Sequence, residues 1–150
     1  MQTKAKVIRV ISVMVGLILT VAIAVAESQN QDESAGFRFM SEDIYFKYRD
    51  YAISPEAAEN LKRKAVWLRE HPDAVVIIEG HTDLRNGREA NLAFGERRAG
   101  SVKSYLMRLG IDGARLKAVS YGEETPVEPG HGKAARAKNR RVHFVIESME

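Results

Sequence analysis

Two charged side chains, Asp83 and Arg98, have the types and the spacing to do chemistry together. Asp83 ends the polar cluster Glu79-Gly80-His81-Thr82-Asp83, placed where an apolar run stops, and Arg98 follows 15 residues later within Arg97-Arg98-Ala99. One carboxylate and one guanidinium suit a zwitterion: the carboxylate takes an ammonium, and the guanidinium fork takes a carboxylate through two parallel hydrogen bonds. Backbone N–H groups at a helix start would add to the anion side. The same spacing suits a structural ion pair, and spacing alone does not choose between the two. Asn91, Phe94, Gly95 and Arg98 recur at helical intervals and so share a face that follows directly on the His81–Gly87 loop.

Other chemistries find less to work with. The chain has no cysteine, which removes disulfides, thiolate zinc sites, cysteine nucleophiles and a lipid attached to an N-terminal cysteine. His81, Asp83, His131 and His143 are the candidates for a zinc site of a wall hydrolase, but no two of them have a local metal-ligand spacing. No serine sits in a glycine-flanked strand-turn-helix elbow. No metal or cofactor is expected. The formal charge of +3 hints at nucleic acid, yet Lys4, Lys6 and Arg9 stand in a segment without acids. Without them, 20 of the 23 Lys and Arg face 20 Asp and Glu, and a neutral body has no general pull on a phosphate backbone.

The 150 residues suffice for one domain with a core. Val10 to Ala26 is an apolar run of 17 residues ending Ala24-Val25-Ala26, and residues 1–26 read as an export signal cut before Glu27, or as an uncleaved membrane anchor. Either places the body outside the cytoplasm of a bacterial-type cell, in the periplasm, with a membrane met only through an uncleaved N-terminus. Residues 27–36 are polar and read as a flexible tether, and the folded unit is expected over 37–150.

Within it, Asp43–Tyr48 is aromatic and β-branched, and reads as a strand. Ser54-Pro55-Glu56 opens a helix as N-cap, first-turn proline and acid, with Ala57, Leu61, Ala65 and Leu68 as its stripe, widened by Ala58 and Trp67. Ala74–Gly80 is a short apolar strand. A long helix follows, striped by Leu92, Ala99, Val102, Tyr105, Leu106 and Leu109, with Gly110 as its cap. Arg115–Tyr121 and Arg141–Ile146 fit two further strands, with a helical turn over Ala134–Lys138. The order β-α-β-α-β-(α)-β predicts an α/β, two-layer α+β sandwich: a four-stranded mixed sheet with helices on one face.

Several separated motifs resemble the OmpA-like peptidoglycan-binding domain. These are Gly80-His81-Thr82-Asp83, Asn91, Arg97-Arg98-Ala99, Tyr121-Gly122-Glu123 with Pro126, and Asn139-Arg140-Arg141-Val142, spread over roughly residues 42–147. Gly95-Glu96-Arg97-Arg98 and Val119-Ser120-Tyr121-Gly122 are most similar to its peptidoglycan-associated lipoprotein branch. The resemblance implies non-catalytic binding of peptidoglycan through the diaminopimelate of the stem peptide. By position, Asp83 matches the ammonium-binding aspartate and Arg98 the carboxylate-binding arginine. Asn91 and Phe94 match the pocket wall, and Tyr48-Arg49 the segment whose backbone closes it, with His81, Thr82 and Arg141 in support. The chain departs from that branch at Arg49, where an aspartate is usual, and at Asn86/Gly87, Ala90 and Phe94. A scaffold role among Tol-Pal-type envelope proteins is the alternative the same family implies. The proton-channel role of motility stators is excluded, because Val10–Ala26 lacks the aspartate a proton relay needs.

Overall fold

The computed structural model describes residues 2–149, the side chains of 2–13, 15, 16, 32 and 33 excepted. The chain divides into two compact units, one ending at Phe37 and the other beginning at Arg38.

The first unit is helical, within α1 (Gln2–Ser41). Residues 27–36, expected as an irregular tether, are part of that helix. They contain no proline and include the helix formers Glu27, Gln29, Gln31, Glu33 and Ala35, and extending an existing helix costs far less than nucleating one. Among the described residues no helix is long and apolar enough to cross a membrane. The uncleaved-anchor expectation gains no support from them.

The second unit continues as β1 (Ile44–Tyr45), α2 (Pro55–Glu70), β2 (Val75–His81), α3 (Arg88–Arg108), a short 3-10 turn over Gly113–Arg115, β3 (Leu116–Gly122), α4 (Lys133–Asn139) and β4 (Arg141–Ser148). Its sheet has the order β1-β4-β2-β3, with β2 parallel to β3 and antiparallel to β4, and β1 antiparallel to β4. The expected mixed α/β sandwich is therefore the architecture found.

Alternation sends Val76 and Ile78 of β2 and Val142 and Phe144 of β4 into the core, where Ile44, Leu61, Leu68, Val102 and Leu106 are also fully buried. Ser54 caps α2, its hydroxyl accepting from Ala57 N at 3.2 Å, with Pro55 at the first helical position. Gly110, just past α3, takes φ +89°, a left-handed stop that a side chain would strain. Several polar side chains are also buried among the described residues, and α2 supplies one of them. Lys64 of α2 is 3% exposed, lies over the rings of Phe39 and Phe144 at 4.7 and 4.3 Å, and donates to Phe39 O. Burial pulls its ammonium down to about 8.

The first strand is shorter than Asp43–Tyr48. Its ladder stops after Tyr45 because the chain turns at Lys47–Asp50, where Asp50 N donates to Lys47 O at 3.2 Å and Arg49 takes φ 54°.

Candidate functional site

The site is placed by the closest approach in the fold. Gly80 of β2 meets Gly95 of α3 backbone to backbone: a Cβ on Gly80 would overlap Gly95 O and lie 2.6 Å from its carbonyl carbon. Only glycine at both positions lets the helix lie this near the strand. One residue beyond Gly80 is His81, and one turn beyond Gly95 is Arg98, so the contact delivers the arginine to the strand's end. Arg98 Nη1 donates to His81 O at 2.8 Å. Its Nε and Nη2 donate to Asp50 O and Lys47 O at 3.0 and 3.1 Å. One side chain thus ties β2, α3 and the 47–50 turn together. Three of its five N–H donors are spent on carbonyls, which leaves two. Arg98 is 2% exposed, and burial, then the like charge of Arg140, pulls its guanidinium down to about 10. It remains a cation at neutral pH.

Arg98 and Asp83 line one narrow cleft with Tyr48, Arg49, Thr82, Asn86, Phe94 and Arg140. Of the seven expected site or support residues other than Asp83 and Arg98, four are here: Tyr48, Arg49, Phe94 and Thr82. The Thr82 hydroxyl is buried at the cleft with no hydrogen-bond partner, an acceptor-donor left for something else to satisfy. Phe94 supplies the apolar side.

Asn91 stands behind the cleft instead of on its lining. Its amide donates to Asn86 O at 2.9 Å and to Glu123 Oε2, and its carbonyl accepts from Asn86 Nδ2 at 3.2 Å. It pins the 83–87 loop to the start of α3. His81 is 2% exposed, shares a hydrogen bond with Thr125 at 3.1 Å and stacks on Tyr121 at 5.7 Å. Burial, with the charge of Arg141, pulls its imidazole down to about 4, so it is neutral at pH 7. Arg141, expected to support the cleft, turns to Asp43 at 3.2 Å, beside His143, whose Nδ1 is 2.7 Å from the same carboxylate. Neighbours along a strand point to opposite faces, and it is Arg140 that reaches the site.

Arg140 Nη1 donates to Asp83 Oδ2 at 3.1 Å while its Nε donates to Phe46 O at 3.0 Å. Arg85 takes the rest of the carboxylate. Its Nη2 and Nε lie 2.6 and 3.1 Å from Asp83 Oδ2 and Oδ1, and its backbone N donates to Oδ1 at 3.2 Å. Burial pushes the Asp83 carboxyl up, but the hydrogen bonds from Arg85 and Arg140 outweigh it and hold the group below its ordinary value. Neither Arg85 nor Arg140 is picked out by the spacing argument. An aspartate accepting from the backbone N–H two residues on is a recognisable turn signal, and it is what brings Arg85 back over Asp83. Among the described residues no group of three or more His, Cys, Asp or Glu side chains is arranged to hold a metal ion; the four zinc candidates are not brought together.

The cleft is a place where a paired charge, an orphan hydroxyl and an aromatic wall meet at the carboxyl end of a central strand. Residues 45–140 match the model of the OmpA family. The chain is 42% identical over 103 residues to the peptidoglycan-associated lipoprotein of Legionella pneumophila, covering 69% of this chain and 58% of that protein. It is 46% identical over 99 residues to the peptidoglycan-associated lipoprotein of Haemophilus influenzae, covering 66% and 65%. It therefore spans less than two thirds of either relative. The crystal structure of the peptidoglycan-associated lipoprotein from Burkholderia pseudomallei is similar with a TM-score of 0.69 and 37% identity, over 71% of this chain and 91% of that one. With its sheet order, its cleft and these matches taken together, the chain belongs to the OmpA family.

Proposed function

We propose that this domain binds peptidoglycan without catalysis, in the periplasm, and so tethers or organises the cell envelope. The ligand group is the diaminopimelate of the stem peptide: its ammonium goes to Asp83, its carboxylate to the remaining donors of Arg98, and its aliphatic chain against Phe94. The observation that carries this reading is the shared cleft of Asp83 and Arg98, opposite charges held at one strand end. The peptidoglycan-associated lipoproteins named above support it, since the matched region includes both anchors. Two anchors of opposite sign recognise a centre that carries both charges, and a stem peptide with lysine in that position keeps only one.

The test is co-sedimentation with purified sacculi. Asp83→Ala leaves Arg85 and Arg140 without their carboxylate and removes the ammonium's partner, a loss of roughly 2–5 kcal/mol, enough to abolish weak binding. The variant is expected to stay folded by circular dichroism and to remain in the supernatant. A folded Asp83→Ala that sediments like the parent protein would reject the assignment.

A further inference from the structure

The ammonium position of the cleft is already filled by the chain itself. Arg85 meets Asp83 as a bidentate fork, and its guanidinium carbon lies 3.6 Å from the centre of the Tyr48 ring. Tyr48 in turn reaches Asn86 Oδ1 at 3.3 Å, so acid, cation and ring form one stack across the mouth. Asp83 is only 2% exposed, and no incoming cation reaches its carboxylate while the fork is in place.

The two arginines on Asp83 differ in how firmly they are held. Arg140 is 15% exposed and is also bound to Phe46 O, so leaving would strand a second group. Arg85 is 33% exposed, sits on a loop and makes its side-chain hydrogen bonds to Asp83. It is the partner that can swing into water at small cost.

Resting on the reading of the cleft given above, we propose that Arg85 is a built-in counter-ion that occupies the ammonium position of the empty domain and is displaced when ligand binds. Arg85 then sets affinity: every ligand ammonium competes with it, and one that lacks a carboxylate for Arg98 cannot make up the loss. It also keeps a buried carboxylate from standing unpaired between binding events.

The measurement is calorimetric titration of the full chain with a stem peptide carrying diaminopimelate, for the parent, Arg85→Ala and Asp83→Ala, together with the nitrogen-15 resonance of Arg85 Nε in the parent. Arg85→Ala is expected to bind about two- to fivefold more tightly, since a partly buried ion pair no longer has to be broken. The Nε–H signal is expected to be protected from solvent exchange in the free protein and to lose that protection at saturation. Binding by Arg85→Ala that is weaker than or equal to the parent's, or protection that survives saturation, overturns the proposal. If Asp83→Ala has meanwhile lost binding, the cleft reading stands and only the counter-ion is refuted. If Asp83→Ala binds as the parent does, both fall.

Discussion

Replacing Gly95 with alanine tests whether the bare contact of α3 on β2 holds the site together. The new Cβ would overlap the Ser120 hydroxyl and stand 2.7 Å from Gly80 O, where ordinary contacts begin at 3.4 Å. Helix and strand must therefore part by several tenths of an ångström, and overpacking of this kind costs about 1–3 kcal/mol. Ser120 Oγ, which donates to Leu92 O at 2.7 Å, is pushed off its acceptor for about 1 kcal/mol more. Alanine returns about 1 kcal/mol through its better helix propensity. The net loss is about 1–3 kcal/mol. Gly80→Ala has no such return, and the atoms in its way are backbone, so it is expected to lose about 3 kcal/mol or more. Trp67 is the chain's single tryptophan and is 5% exposed, so its fluorescence reports urea unfolding directly. Adding Ser120→Ala to Gly95→Ala removes one of the two clashing groups and should recover part of the loss. A Gly95→Ala protein within about 0.5 kcal/mol of the parent, or a Gly80→Ala protein milder than Gly95→Ala, would refute the packing argument.

Acid should weaken the fold through His81. Its pKa falls from 6.5 unfolded to about 4 folded, so the associated stability is complete above pH 6.5 and is lost as pH drops toward 4, by about 3 kcal/mol. His81→Gln should flatten that part of a pH-stability curve measured by chemical denaturation. Arg115 donates to Ala74 O, Leu68 O and His71 O at 2.9, 2.9 and 2.5 Å, closing the turn between α2 and β2. Arg115→Ala should cost about 2–4 kcal/mol by thermal or urea melts, and Arg115→Lys, lacking the fork, should recover less than half.

The polar face of α3 is legible from spacing, because Asn91, Gly95 and Arg98 recur with the helix and all three are buried. Leu92, Tyr105 and Leu109, which a purely apolar stripe puts inside, are only partly buried. The choice between Arg140 and Arg141 is not legible, since shifting the start of β4 by one residue exchanges which arginine faces the cleft. The length of β1 depends on a distant residue: Arg98 draws on Lys47 O and Asp50 O, so the aromatic run bends away from the ladder to meet it. Lys64 reads as the polar side of α2 until the end of α1 is laid over it, and then its ammonium meets the Phe39 carbonyl. Arg85 is hidden for the same reason. No periodicity runs through Leu84-Arg85-Asn86, and the direction of a long side chain on a loop is set by its neighbours in space.

The sheet order β1-β4-β2-β3 puts the last strand made between the first two. Until residues 141–148 are free to pair, β1 has no neighbour and one edge of β2 stays open. Closure of this sheet thus waits for its fourth strand, and a chain stopped short of β4 would present an unmatched strand to whatever chaperone or protease meets it.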